Sequence, residues 1–233
     1  MRSQTFLTSF LFSLPLIIIF SLFAVYSVVL TVYVSFTKWD GGGSPLSGRW
    51  IGFDNYLAFF EDPMFVRSLI NTLIWVGVYL TLPILLGLMV AILVDARVRG
   101  EVVFKTIFFL PLTLAPIVVG LMWKWIYADN FGLLEMGSRQ LGLHFIADLS
   151  PYLARPEQAT FFMAVAATWG IVGFNMVIFL AGLRSINPSL IDAATVDGAG
   201  QFNIFRHITI PSIIPFLTIV VAMNLITALR VFD

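Results

Sequence analysis

The stretch RSLINTLIWVGVYLTLPILLGLMVAILVD, residues 67–95, decides the fold because no Asp, Glu, Lys or Arg lies between Arg67 and Asp95. A helix needs about 20 consecutive apolar residues to cross the hydrocarbon core of a bilayer. The run exceeds that length, and its apolar residues are continuous rather than alternating with polar ones. It therefore predicts a membrane-spanning helix and not a strand of a barrel.

The rest of the chain is similarly apolar. It has 233 residues, of which 59% are hydrophobic and 11% charged, whereas a soluble domain has about 25% charged residues. The third run is slightly short, but Trp123, Trp125 and Tyr127 at its end suit the membrane interface, where amphipathic rings settle. The sequence thus predicts an all-α integral membrane protein, a polytopic helical bundle with five transmembrane helices. The four further runs lie within residues 2–38, 105–124, 157–184 and 206–230.

The predicted organisation has two parts. Residues 1–66 contain the first transmembrane helix and the first external loop, and residues 67–233 contain spans two to five. The apolar block after Arg2 is much longer than the h-region of a signal peptide, and no small-residue cleavage pattern follows it cleanly. We therefore expect a retained first helix.

The orientation is nearly undecided by a simple count of cations, because the twelve Lys and Arg residues up to Arg206 divide equally, six on each side of the membrane. Their density is more informative, because Arg97, Arg99 and Lys105 crowd one short loop while the opposing cations are spread over two long ones. Density favours a cytoplasmic N-terminus. The external segments are then about 38–66 and 124–158, and the cytoplasmic loops are 96–105 and 184–206.

Several classes of function are disfavoured. Net charge is zero, which argues against a nucleic-acid partner, and no cysteine is available for thiolate chemistry. The chain contains no G-x-x-x-x-G-K-[ST] motif that would bind nucleotide phosphates. His144 and His207 fall on opposite sides, so the sequence predicts neither a catalytic nor a metal site. The spans contain no acidic residue, which disfavours an ion-coupled carrier but leaves it as an alternative.

The cytoplasmic segment NPSLIDAATVDGAGQFNIFRHITIPSIIP, residues 187–215, predicts a short helix. Asn187 can cap its start, Pro188 suits the first helical position, and Gly198 suits a left-handed residue that ends it. Small residues on this helix leave room for another backbone to approach. On the residues alone, an ordinary connecting helix at the membrane surface fits as well.

The spacing in this segment resembles the EAA loop of binding-protein-dependent ABC-transporter permeases, whose pattern is Glu-Ala-Ala, three residues, Gly, nine residues and Ile-x-Leu-Pro. Asp192 and Ile210 stand where that pattern has Glu and Leu. WIGFDNYLAFFEDPMFVRSLINTLIW, residues 50–75, and FKTIFFLPLTLAPIVVGLMWKWIYADNFGLL, residues 104–134, are similar to stretches of sugar permeases of the maltose-transporter kind. The matching loop residues are Asp192, Ala193, Ala194, Asp197, Gly198, Ala199, Ile208 and Pro211.

The resemblance implies that the loop at about 185–210 is a coupling helix that docks on a cytoplasmic ATPase. It further implies a bacterial inner-membrane permease with a cytoplasmic N-terminus, a second homologous permease, an ATPase dimer and an extracytoplasmic solute-binding protein. No cofactor is expected on this chain, because ATP and Mg belong to the partner ATPase. Family members have a sixth helix, so we expect a C-terminal helix to be missing here. The expected solute is a sugar; glycerol phosphate and polyamines are alternatives.

Polar residues inside the last two spans are candidates for contact with that solute, because buried polar groups in a membrane usually face the interior of the bundle. Hydrogen bonding between neighbouring helices explains such residues equally well. The resemblance favours the solute path, since related permeases line it with their corresponding helices. The candidates are Phe174, Asn175, Asn224 and Thr227.

Overall fold

The computed structural model describes residues 2–96 and 100–230, with side chains from residue 10 onward. The predicted loop cations Arg97 and Arg99 lie outside the described residues. The described chain is almost entirely helical, as expected, with one ladder of two short strands. The α-helices are α1 (Arg2–Phe20), α2 (Tyr26–Ser35), α3 (Asp54–Glu61), α4 (Pro63–Asp95), α5 (Glu101–Thr113), α6 (Pro116–Ile126), α7 (Leu133–Gln140), α8 (His144–Ala147), α9 (Pro156–Arg184), α10 (Pro188–Val196), α11 (Gln201–Ile204) and α12 (Ile210–Leu229). The remaining elements are π-helical turns at Ser21–Val25 and Phe205–Thr209, a 3₁₀ turn at Pro45–Ser47, and strands β1 (Thr37–Lys38) and β2 (Arg49–Trp50).

Four helical segments within the described residues are long and apolar enough to cross a membrane: Phe10–Ser35, Pro63–Asp95, Pro156–Arg184 and Gln201–Leu229. They correspond to four of the five predicted spans. The fifth, predicted within residues 105–124, is a pair of helices, α5 and α6, bent by 103°. Within the described residues there are therefore four continuous candidate spans, and five if the bent pair is one broken span.

The break between α5 and α6 has a local cause. Ala115, immediately before Pro116, is extended with φ −61° and ψ 138°, as expected for a residue that precedes proline. Pro116 then occupies the first turn of α6, where its missing N–H is least costly. Pro111 lies in the last turn of α5 and weakens that end of the helix as well.

The chain divides into two compact units, residues 1–69 and 70–233. In the first, an aromatic cluster lies beyond the end of α2, where Phe36 stacks on Trp50 with ring centroids 5.4 Å apart and meets Phe53 edge-on at 5.3 Å. The side-chain amide of Asn55, in α3, donates to the carbonyl oxygens of Ser35 and Thr37. These bonds hold α3 against the end of α2.

The second unit has its core between α4, α9 and α12. In lipid, helix association depends on close packing rather than on escape from water, and glycines provide the closest approaches here. A Cβ atom on Gly87 of α4 would lie 2.6 Å from the Cβ of Asn175 in α9. A Cβ on Gly182 of α9 would lie 2.8 Å from the ring of Phe216 in α12. The principal buried apolar residues are Ile84, Val90, Ala91, Val94, Met176, Phe179, Leu180, Leu183, Ile213 and Val220.

Candidate coupling helix and solute path

The helix predicted between Asn187 and Gly198 is present as α10, Pro188–Val196. The side-chain oxygen of Asn187 accepts a hydrogen bond from the backbone N–H of Ser189 at 3.1 Å, so the predicted N-cap is confirmed. Pro188 occupies the first helical position, where no intrahelical bond is lost. A helix of nine residues is marginal in isolation, and this cap contributes about 1 kcal/mol to its stability.

The other end of α10 is closed by a Schellman motif. Gly198 adopts a left-handed conformation with φ 82°, which glycine reaches without the steric cost of a Cβ atom. Its N–H bonds to the carbonyl oxygen of Thr195 at 3.1 Å, and the N–H of Ala199 bonds to that of Ala194 at 2.9 Å. This pair of bonds defines the motif. Both ends of α10 are therefore fixed by its own sequence.

The surface of α10 is open. Asp192, Ala193, Asp197 and Gly198 are exposed, and Ala194 and Ala199 are half-buried. A Cβ atom added at Gly198 would meet nothing within 4 Å. Within residues 2–96 and 100–230, the carboxylate of Asp192 has no hydrogen-bond or ion-pair partner. A short, rigid helix with small side chains and a free carboxylate is suited to docking by another protein.

The segment after α10 leads back toward the bilayer. Ile208 lies half-buried in the π-helical turn Phe205–Thr209, and Pro211 is exposed in the first turn of α12. The hydroxyl of Ser212 donates to the carbonyl oxygen of Ile208 at 2.6 Å. The wide turn thus passes directly into α12, so that residues 187–211 form a continuous, ordered connection between two spans.

The four candidate path residues occupy different environments. Asn175 on α9 and Asn224 on α12 have no exposed surface, and their side-chain oxygen and nitrogen atoms have no hydrogen-bond partner within the described chain. Phe174 is half-buried. Thr227 is exposed and borders a cavity. In this conformation Thr227 is open to a solute, while the two asparagines are enclosed within the bundle.

The cavity that Thr227 borders measures about 640 Å³ and is lined in part by residues of α5 and α6. Its aromatic wall is Tyr79, Trp123 and Tyr127, and Lys124 is its cation. The rings of Trp123 and Tyr127 are 5.1 Å apart. The sequence predicted Trp123 and Tyr127 only as residues of the membrane interface. Their four-residue spacing places them on one helical face and indicates a shared wall.

The segment that follows α6 is organised around Glu135. Its carboxylate accepts a hydrogen bond from the backbone N–H of Asn130 at 3.0 Å and pairs with Arg139 at 3.1 Å. The Ser150 side chain, the Asn130 N–H and Arg139 together hold the pKa of Glu135 below its usual range. Glu135 is buried, and its ionised carboxylate connects α7 to the neighbouring loops through these contacts.

Several helices long and apolar enough to span a membrane surround a cavity, and an exposed, capped helix lies between two of them. The sequence comparison identifies the class. Residues 83–232 match the family of binding-protein-dependent transport system inner membrane components, and the chain belongs to that family. It is an ABC importer permease subunit and a multi-pass inner-membrane protein.

Individual relatives agree with this assignment. The chain is 35% identical over 224 residues to a probable ABC transporter permease protein of Pyrococcus horikoshii, covering 96% of this chain and 75% of the relative. It is 29% identical to the sn-glycerol-3-phosphate transport system permease protein UgpA of Yersinia enterocolitica, and the match covers 94% of this chain and 72% of that relative. The crystal structure of a bacterial ABC transporter involved in the import of the acidic polysaccharide alginate superposes with a TM-score of 0.71 at 27% identity, covering 99% of this chain and 75% of that one.

Family membership settles two further points. The chain is a transport component and not an enzyme. It belongs to a family without cofactors of its own, in which the ATPase is a separate subunit. The sequence predictions on both points are confirmed.

Proposed function

We propose that this chain is the permease of an ABC importer for carbohydrate, taking a di- or oligosaccharide or a glycoside. The chain pairs with a second homologous permease, receives solute from an extracytoplasmic solute-binding protein and is driven by a cytoplasmic ATPase dimer. Solute crosses by alternating access, in which ATP-driven closure of the ATPases displaces the 187–211 loop and turns the bundle from inward- to outward-facing.

The aromatic wall of the cavity carries the carbohydrate assignment. Sugars present C–H faces that stack on aromatic rings and hydroxyls that hydrogen-bond to polar groups. Trp123 and Tyr127 provide the rings. Thr227, whose hydroxyl donates to the carbonyl oxygen of Met223, provides an oxygen that can accept a hydrogen bond. Solute sites are typically apolar with a few placed polar groups, and this cavity has that composition.

The open surface of α10 supports the proposed coupling to an ATPase. Both ends of the helix are fixed, so a force on its exposed face moves the helix as a unit instead of unwinding it. The free carboxylate of Asp192 offers a point for a cationic side chain, although it is one methylene shorter than the family's glutamate.

The proposed orientation follows from the same helix. An ATP-hydrolysing partner is cytoplasmic, so α10 is cytoplasmic as well. Counting back from α10 gives four crossings, through α9, the bent pair taken as one span, α4 and the first span, which puts the N-terminus on the same side as α10. The density of cations around residues 96–105 supports the same orientation.

Glycerol phosphate is the second candidate solute. UgpA is named as the permease of an sn-glycerol-3-phosphate transport system, and Lys124 borders the cavity of this chain. A phosphate ester would bind by ion pairing to Lys124, whereas a neutral sugar would depend on Trp123. The two solutes therefore differ in which neighbouring side chain they need.

Uptake into proteoliposomes that contain the complete transporter tests the proposal. We expect uptake of a neutral labelled oligosaccharide with ATP inside the vesicles and none with a proton or sodium gradient alone. Trp123→Ala should reduce this uptake strongly, while Trp125→Ala, on an exposed ring of the same helix outside the cavity, should leave it near the unmodified rate. Uptake of glycerol 3-phosphate alone, abolished by Lys124→Gln, would replace the sugar assignment, and gradient-driven uptake would defeat ATP coupling.

A further inference from the structure

Arg184 joins the ends of three helices on the side of the bundle where α10 lies. It is the last residue of α9. Its Nη2 donates to Oε1 of Glu101, the first residue of α5, at 2.7 Å. Its Nε donates to Oδ1 of Asp95, the last residue of α4, at 3.4 Å. Glu101 also pairs with Lys105 one turn along α5, so two anions and two cations balance at this junction.

The same junction borders α10. A cavity of about 680 Å³ has Asp95, Glu101 and Arg184 among its lining residues together with Pro188 and Asp192 from the start of the coupling helix. The ion pairs and the first turns of α10 therefore face a common space.

The connection between α9 and α10 is short and internally bonded. The N–H of Ser185 bonds to the carbonyl oxygen of Ala181 at 3.1 Å, and the N–H of Ile186 bonds to that of Leu183 at 3.3 Å. Ile186 also packs against the core of the bundle. A displacement of α10 is consequently delivered to the end of α9, where Arg184 lies.

The junction is not what folds the bundle. The side chains of Arg184, Asp95 and Glu101 are 44%, 39% and 27% exposed, and exposed ion pairs contribute little net stability. Farther into the bilayer, α9 packs on α4 and α5 through the close approaches at Gly87 and Gly173. The ion pairs fix how the helix ends sit relative to one another, in contacts weak enough to be broken one at a time.

We propose that Arg184 is a positioning residue that transmits the displacement of α10 to α4 and α5, so that the ends of the three helices move together when the ATPase closes. This role rests on the proposed function, in which α10 receives the ATPase. Without the guanidinium, α10 and α9 would still be displaced, but α4 and α5 would follow incompletely.

The distance between α10 and α4 during the ATPase cycle tests the proposal. The chain contains no cysteine, so spin labels placed by Thr195→Cys on α10 and Leu93→Cys on α4 are unique within it. The complete transporter complex is measured without nucleotide and after trapping with Mg-ATP and vanadate. We expect one narrow distance distribution, unchanged by trapping, with Arg184 present. With Arg184→Gln, the distribution should broaden and shift by several ångström on trapping.

Two further variants make the result specific. Glu101→Gln removes the same ion pair from α5 and should reproduce the broadening, which keeps the test available if Arg184→Gln assembles poorly. Arg155→Gln is the matched control, because Arg155 lies at the opposite end of α9 and bonds to the carbonyl oxygen of Ser150; its distribution should remain narrow.

A narrow, unchanged distribution in both Arg184→Gln and Glu101→Gln would overturn the proposal. Loss of the ATPase from the Arg184→Gln complex, with the ATPase retained by Arg155→Gln, would also overturn it, because the role assigned to Arg184 lies within the permease. Failure of the proposed coupling would appear separately, as an ATPase that stays bound when α10 itself is disrupted by Gly198→Trp.

Discussion

Gly173 of α9 lies directly against the backbone of Phe108 in α5: a Cβ atom on Gly173 would come within 2.2 Å of the Phe108 carbonyl oxygen. No L side chain fits that space without separating the two helices. Small residues commonly permit such close approach between membrane helices. This crossing fixes α5, the first half of the broken span, to the long helix α9.

Gly173→Ala should therefore destabilise the bundle, by about 1–3 kcal/mol as is usual for overpacking. We expect a fall of several degrees in the apparent melting temperature of the purified protein in detergent. Gly170→Ala, one turn earlier on the same helix, is the control because a Cβ there would meet nothing within 4 Å. Equal stability of the two variants would contradict the close packing of α5 on α9.

Disruption of α10 should remove the ATPase without unfolding the permease. Gly198→Trp forces a bulky residue into a left-handed conformation on the open surface, and Asp192→Lys reverses the free carboxylate. We expect both variants to insert in the membrane at normal levels and to lose co-purification of the ATPase. Gly200→Ala is the control, since Gly200 has an ordinary negative φ and open surroundings. Full co-purification and transport in both disrupted variants would remove the coupling assignment.

Much of this architecture was predictable because its causes are local. An uncharged run long enough to cross a bilayer specifies a span from composition alone, and four such runs are continuous helices in the structure. The ends of α10 were predictable for a similar reason: Asn187 and Gly198 each act on the backbone within a few residues of themselves.

Some features were not predicted because they depend on residues far apart along the chain. Another was missed because a count of uncharged residues does not register proline. The junction at Arg184 joins residues 83 and 89 positions apart, and no local pattern indicates that pairing. The break in the third predicted span had a local signal in Pro116, but a count of uncharged residues takes no account of proline. The enclosure of Asn175 and Asn224 follows from the packing of α4, α9 and α12, which the sequence alone did not specify.

The segment around Glu135 should open in acid. The pKa of the Glu135 carboxyl is lowered in the folded protein. The ionised carboxylate therefore stabilises the segment at pH values above the ordinary glutamate pKa of about 4.3, and that stabilisation is lost as the pH falls toward the lowered pKa of the folded state. We expect amide hydrogen exchange in residues 129–151, corrected for its intrinsic pH dependence, to accelerate below about pH 4.

Glu135→Gln isolates this effect, because glutamine keeps the shape of the side chain and does not titrate. The variant should show weaker protection at neutral pH and should lose the component of the acid response that Glu135 supplies. Neutral-pH protection equal to that of the unmodified protein would contradict the role assigned to the Glu135 carboxylate.

A substitution at Asn224 can distinguish a residue that contacts the solute from one that only hydrogen-bonds a neighbouring helix. The amide of Asn224 is buried in this conformation without a partner among the described residues, and an unmet buried polar group costs about 1–3 kcal/mol. Leucine has the same number of side-chain heavy atoms in the same branched arrangement, so Asn224→Leu should raise the melting temperature of the resting complex while transport falls, because the amide is needed at another stage of the cycle. Met223→Leu, on a neighbouring exposed side chain, should leave both quantities nearly unchanged. A lower melting temperature with transport reduced only in proportion to the amount of folded protein would mean that Asn224 bonds neighbouring helices and does not serve the solute.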